Sequence, residues 1–212
     1  LWRSRLEGTT VVGITGSVGK TVVKELLFRA LAGKCRVERS PRSWNSRIGV
    51  PLSVCGFDRG IDVAIVEVGI DHAGSMDELA AIVRPEIGIL TPITAEHDEG
   101  FASRAEKIAE KVKLFAGCRR LYYASGDPMV DDIVAGLEGQ VELIPVDGDD
   151  DFDRKVVAAV CRDLGYEAAE TAQDEYPTNR IDVHEGVNDC VVIYDGFTAD
   201  EVARRHSLDF MS

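Results

Sequence analysis

The run Gly13-Ile14-Thr15-Gly16-Ser17-Val18-Gly19-Lys20-Thr21 constrains this chain more than any other part of it. It follows an apolar stretch of strand length, Thr10 to Thr15, and opens a stretch of helical period, Lys20 to Leu31. Glycines let a backbone curl until successive N–H groups point inward, and a helix N-terminus adds positive potential at the same place. A turn built this way can cradle phosphate. Lys20 can reach the outer phosphates, and the Thr21 hydroxyl can ligate Mg2+. The strict phosphate-loop spacing asks for glycine where Ile14 stands, which places the run in a subgroup spaced T-G-x-x-G-K-T. Gly16, Ser17, Val18, Gly19, Lys20 and Thr21 are the expected nucleotide-binding residues. The bland alternative is a glycine-rich turn that happens to precede Lys-Thr.

The rest of the chain alternates in the manner such a loop needs. Strands are expected over Thr10–Thr15, Cys35–Glu38, Asp62–Val68, Ile87–Thr91, Leu121–Ala124 and Val141–Val146. Helices are expected over Lys20–Leu31, after a capping box Ser75-x-x-Glu78, over Ala102–Phe115, and from Pro128 onward. Alternation of this kind predicts an α/β fold: a mostly parallel sheet flanked by helices on both faces, like that of phosphate-loop nucleoside triphosphatases. Two stretches look like seams, Asp147–Asp151 and Thr171–Asn179. Beyond the second, Arg180–His184 and Val191–Tyr194 read as strands and Asp200–Phe210 as a helix.

Composition narrows the function classes. The 212 residues carry a net charge of −13, which argues against a nucleic-acid surface but not against a local phosphate pocket. Five scattered cysteines without a C-x-x-C pair argue against a disulfide framework or zinc site and suit a reducing, cytoplasmic setting. No apolar run is long enough to insert in a membrane, and Leu1–Arg5 has no signal-peptide pattern and reads like the interior of a longer protein. A phosphate loop alone does not choose between GTPases, kinases, motor ATPases and ligases, although no guanine-specificity motif is evident.

Four further segments choose a branch. Asn45-Ser46-Arg47-Ile48-Gly49-Val50-Pro51, Val66-Glu67-Val68-Gly69, Ala95-Glu96-His97-Asp98-Glu99-Gly100-Phe101 and Lys107-Ile108-Ala109-Glu110-Lys111 occur in that order. They resemble the N-N-x-I-G-V-P, E-x-G, A-H-x-E-G-F and I-A-x-A-K segments of the Mur ligase superfamily, the last with one position shifted. The wording is closest to the branch that adds D-alanyl-D-alanine to UDP-N-acetylmuramoyl-tripeptide, and some segments are similar to ligases that occur fused to an alanine racemase. In the tail, Asn179–Gly186 and Asp195-Gly196-Phe197-Thr198-Ala199-Asp200 resemble the family's passage into its last domain. The resemblance implies a central ATP-binding domain over 1–178 and the start of a C-terminal ligase domain over 179–212. There are departures: Val18 replaces a loop asparagine, and a G-x-H-N-x-x-N segment is missing, as if the chain were shortened near 147–155.

Each residue has a plain reading beside the implied one. Glu67 ends an apolar strand where a solvated carboxylate is ordinary; the resemblance makes it a Mg2+ ligand beside the triphosphate. His97 reads as a loop histidine, since imidazole is an unusual partner for so hard a cation; the resemblance implies a Mg2+ ligand. Lys111 shares a helix with Lys107 and Lys113 and reads as solvated; the resemblance implies a lysine carbamylated by CO2, a carboxylate able to ligate a second Mg2+. Asn45 and Ser46 read as part of a turn set by Gly49 and Pro51, or as substrate-facing. Asp195 and Asp200 would lie near the adenosine. The implied cofactors are ATP and one or two Mg2+, and the implied catalytic residues are Lys20, Lys111 and His97. The implied partners are UDP-MurNAc-peptide, D-Ala-D-Ala and the ligase's own N- and C-terminal domains, with no nucleic acid. Another ligase of the superfamily, or a nucleotide-binding fragment without catalysis, remains the alternative.

Overall fold

In the computed structural model, residues 6–94 and 100–167 are described, together with the backbone of 181–185 and 191–195. The chain divides into two compact units, Leu1–Ala172 and Gln173–Ser212.

The first unit is built on six strands: β1 (Thr10–Thr15), β2 (Val37–Arg39), β3 (Val63–Glu67), β4 (Ile87–Leu90), β5 (Arg120–Ser125) and β6 (Glu142–Asp147). They form one sheet in the order β2-β3-β1-β4-β5-β6, and every pairing is parallel. The helices are α1 (Lys20–Leu31), α2 (Gly49–Gly56), α3 (Met76–Val83), α4 (Arg104–Val112), α5 (Pro128–Ala135) and α6 (Phe152–Asp163), with a 3-10 turn over Lys113–Phe115 after α4. Parallel strands need crossovers, and helices supply them on both faces. The α/β expectation holds.

Because side chains alternate along a strand, each strand feeds two cores. Val11, Ala64, Val66, Leu90 and Leu121 face one way and pack with α2, α3, α4 and α5 through Val54, Leu79, Ile108 and Val134. Val12, Ile14, Ile65, Ile87, Ile89 and Tyr122 face the other way and pack with α1 and α6 through Val23, Leu27, Val156 and Val160. The central strands are apolar on both faces for that reason. The edge strands are not: β2 has only three residues, and β6 carries Pro145, whose missing N–H is tolerated at a sheet edge.

Several expectations need correction. The second strand starts two residues later than expected; Cys35 forms an isolated bridge with Ala32 instead. The segment read as a turn around Gly49 and Pro51 is helix α2, in whose first turn a proline costs no hydrogen bond. The acidic turn 147–151 is no domain seam, since it leads straight from β6 into α6, a helix the sequence reading did not mark. The box Ser75-x-x-Glu78 does not close: Ser75 Oγ bonds His72 Nε2 at 2.8 Å, and the Met76 amide donates to Glu110 Oε1 at 3.0 Å. A serine cap forms instead at α4, where Ser103 Oγ accepts from the Glu106 amide at 3.1 Å.

In the second unit, β7 (Ile181–Glu185) and β8 (Val191–Asp195) pair antiparallel. The helix expected over Asp200–Phe210 lies outside the described residues.

Candidate nucleotide and metal site

The strand order determines what surrounds the loop. β1 lies between β3 and β4, with Ile14 beside Glu67 and Thr15 beside Leu90. The loop after β1 therefore leaves the carboxyl edge of the sheet between Glu67 on one side and Thr91-Pro92 on the other. This is the edge where open parallel sheets bind ligands.

Gly16 has φ of +150°, and Gly19, at the N-cap of α1, has φ of +81°. Both values belong to glycine. No side chain caps α1, and no acidic residue lies in its first turn, so the positive end of the helix is not neutralised from within. One carboxylate approaches from elsewhere: a methyl on Gly19 would lie 3.0 Å from Asp153 Oδ1 of α6. The loop is also pinned to β4. The Ser17 and Val18 amides donate to the Pro92 carbonyl at 3.0 and 3.3 Å, and Thr91 Oγ1 donates to the Val18 carbonyl at 2.5 Å. Lys20 folds back, its ammonium donating to the Gly16 carbonyl at 3.0 Å and to that of Ser17. For phosphate to meet the Ser17 and Val18 amides, both must turn away from Pro92.

Glu67 is buried, 1% exposed, and is no solvated strand end. Thr21 Oγ1 lies 3.1 and 3.0 Å from its two oxygens. Two neighbouring ligands of an octahedral Mg2+, with bonds of about 2.0–2.1 Å, stand roughly 2.9 Å apart. The hydroxyl and carboxylate already span such an edge, and both are hard oxygen donors, so the pair fits a divalent cation. No group of three His, Cys, Asp or Glu suited to a metal occurs among the described residues. Two protein oxygens, with phosphate and water completing the shell, is the usual way Mg2+ is held.

Lys111 is also buried, 4% exposed, and its ammonium donates to the Gly16 carbonyl at 2.9 Å. The plain reading of a solvated helix lysine is overturned. Lys107, one turn earlier and likewise buried, donates to the Thr94 carbonyl. This face of α4 sends two cations toward the loop, while Lys113 stays at the surface with Glu110 and Asp77.

Asn45 and Ser46 lie in the loop that leads into α2. Asn45 Nδ2 donates to Glu67 Oε1 at 2.8 Å, its carbonyl accepts from the Gly69 amide at 2.8 Å, and its side chain packs so closely that a methyl on Gly69 would lie 3.0 Å away. Ser46 Oγ accepts from the Gly49 amide at 3.2 Å, at the start of α2. Asn45 thus joins the carboxylate, and Ser46 serves the helix. Asp195 closes β8 in the second unit, while His97 and Asp200 lie outside the described residues. The sequence reading missed Lys24, Thr91, Pro92 and Asp153. A fully buried lysine next to an acidic residue in an amphipathic helix gives no sign of itself in the sequence.

Beside the loop, a cavity of about 530 Å³ opens at the ends of β4, β5 and β6. Pro92, Ile93, Ser125, Gly126, Asp147 and Gly148 are among its lining residues. Pro92, whose carbonyl holds the Ser17 and Val18 amides, also lines the cavity.

Known proteins share this fold. A profile of the Mur ligase middle domain matches residues 14–160. Curated relatives named UDP-N-acetylmuramoyl-tripeptide--D-alanyl-D-alanine ligase are similar over part of the chain. The Bacillus subtilis (strain 168) protein is 32% identical over 127 residues, 58% of this chain and 28% of its own length. The Borreliella burgdorferi protein is 38% identical over 103 residues, 49% of this chain and 22% of its own. Matches therefore span about a quarter of these relatives' lengths. Among solved structures, MurF from Acinetobacter baumannii superposes with a TM-score of 0.84 at 16% identity, covering 98% of this chain and 55% of that one. MurF ligase from Thermotoga maritima in complex with ADP gives 0.81 at 20% identity, covering 98% and 58%. These structural likenesses establish the fold, and the profile match establishes the family. The chain belongs to the Mur ligases, and residues 14–160 carry their middle domain.

Proposed function

We propose that this chain holds Mg·ATP for a ligase that joins a carboxylate to an amine, and that the amide it makes links D-alanyl-D-alanine to a UDP-N-acetylmuramoyl-tripeptide. The substrates follow from the names of the similar curated proteins. The observation that carries the reading is the convergence of Lys20, Thr21, Glu67 and Lys111 on one loop at the carboxyl edge of the sheet. On this reading residues 1–178 form the ATP-binding domain, 179–212 begin a C-terminal domain, and N- and C-terminal ligase domains complete the enzyme in the cytoplasm. No helix among the described residues is long and apolar enough to cross a membrane.

A carboxylate acylates amines poorly because oxide is a poor leaving group. ATP removes that obstacle. The substrate carboxylate attacks the γ-phosphorus, giving an acyl phosphate and ADP; the amine then attacks the acyl carbon, and phosphate leaves. The protein's task is positioning and charge neutralisation. Gly16, Ser17, Val18 and Gly19 present amides to the phosphates, and Lys20 swings from the Gly16 carbonyl onto the outer ones. Thr21 and Glu67 hold Mg2+, which when bound withdraws charge from the γ-phosphate. Lys111, as an ammonium or as a carbamate, acts at the same place, and His97 adds a further ligand. The cavity beside Pro92 has room for the adenosine.

The test is phosphate release from ATP by the full-length protein, with and without UDP-muramoyl-tripeptide and D-alanyl-D-alanine. Release that requires both substrates, and falls on the order of 100-fold or more in Lys20→Ala, is the expected result, since losing one preorganised charge donor typically costs that much. Equal rates in the two proteins, or a preference for GTP, would overturn the reading.

A further inference from the structure

We infer that Lys24 is a positioning residue for the carboxylate of Glu67, and that it makes Mg2+ binding depend on bound nucleotide. The inference rests on the Mg·ATP reading above and deepens it.

Lysines are almost never fully buried unless paired. Lys24 has no exposed surface at all. Its ammonium lies 3.1 Å from Glu67 Oε2 and 3.7 Å from Glu25 Oε1, and donates to the Arg42 carbonyl. Glu25 in turn accepts from Arg39 Nε at 2.8 Å, and the Arg39 guanidinium lies 3.7 Å over the Phe28 ring. Charges of alternating sign thus run Arg39, Glu25, Lys24, Glu67, from the surface into the site.

A buried ion pair is seldom the most stable way to fill such a space, because desolvation offsets much of the attraction. What it does here is geometric. The two oxygens of Glu67 are divided between donors: Asn45 Nδ2 on Oε1 at 2.8 Å and Lys24 on Oε2 at 3.1 Å. A carboxylate gripped at both ends cannot turn about its last torsion, and the edge left over is the one that faces Thr21 Oγ1. The ammonium also offsets the charge of Glu67, so the carboxylate and hydroxyl alone attract a dication weakly. Phosphate oxygens supply the rest. The metal should then bind well only with nucleotide, which is a coupling between two ligands.

The test is titration of the 212-residue chain with ADP in the presence and absence of Mg2+, reading the ratio of the two affinities. The unsubstituted chain should show strong coupling, and Lys24→Met should reduce it about tenfold. A lysine that served only the fold would change thermal stability and ADP affinity but leave that ratio alone; an unchanged ratio in folded Lys24→Met overturns the inference. Lys24→Gln keeps the stem and a donor and replaces Lys24→Met if the latter fails to fold. Should both unfold, the 15N-edited signal of the buried lysine ammonium in the unsubstituted chain decides: it moves when Mg2+ joins bound ADP if Lys24 grips Glu67, and a stationary signal counts against it. Absence of coupling in the unsubstituted chain would bring down the Mg·ATP reading itself, and this inference with it.

Discussion

Gly16 shows how much of the site depends on one missing side chain. Its φ of +150° suits glycine, and a methyl there would run into Thr91, 2.7 Å from its carbonyl oxygen. The same residue's carbonyl receives both Lys20 and Lys111. Gly16→Ala must push the loop off β4 and break the meeting point of the two lysines. Such a change should weaken ADP binding at least tenfold and destabilise the first unit by roughly 1–3 kcal/mol, as overpacking usually does. Calorimetric titration and urea unfolding would read the two effects; an alanine variant that binds like the unsubstituted chain would show that the close approach to Thr91 is dispensable. The loop glycines were legible in the sequence because only backbone conformation demands them. Lys111 was not legible from its chemistry: among three lysines on one helix, nothing local tells the buried ones from the exposed one, and only the register of α4 against the loop does.

Elements whose ends are set by their own residues were read well. β1 and α1 have the predicted bounds, because a two-faced apolar run ends where the glycine loop begins. Elements set by partners were not. α2 is short and nearly apolar all round, without a periodic face to announce it, and α3 takes its N-terminal acceptor from Glu110 on α4. The α4–α5 pair is held in the same cross-element way. Asp127 caps α5, accepting from the Met129 amide at 3.0 Å, and also pairs with Arg104 of α4. The Arg104 guanidinium, helped by the capping amides, outweighs burial and holds the Asp127 carboxyl below its usual range. A carboxyl depressed in the folded state contributes stability that is fully present above the unfolded value, roughly pH 4, and is lost as pH falls through the lower folded one. Asp127→Asn keeps a good cap but cannot ionise. Urea midpoints measured from pH 6 down to pH 2 should therefore fall less steeply for the variant than for the unsubstituted chain. Parallel curves would mean that the Arg104 pair adds nothing to the acid limb.

At the scale of the first unit, the two cores are separate in space but not in origin. Each central strand alternates between them: Val11 and Val12, or Ala64, Ile65 and Val66, face opposite ways along one backbone. Neither core can come apart without stranding half of the sheet's apolar side chains in water, so both should be lost in one transition. Two cysteines stand ready as reporters. Cys118 belongs to the core under α2 to α5, and Cys161, on α6, to the other. Burial, with a contribution from nearby Glu86, pushes the Cys118 thiol up to about 12, and burial likewise raises that of Cys161. Because the thiolate is the reactive form, neither should be alkylated while the fold is intact. Partly exposed Cys35 and Cys55 should label first and at low urea. As urea rises, mass spectrometry of the alkylated chain should find Cys118 and Cys161 labelled with a common midpoint. Labelling of Cys161 well before Cys118 would mean that α6 peels from its face while the other core persists, and the shared sheet would then couple the two faces far less than its alternation implies.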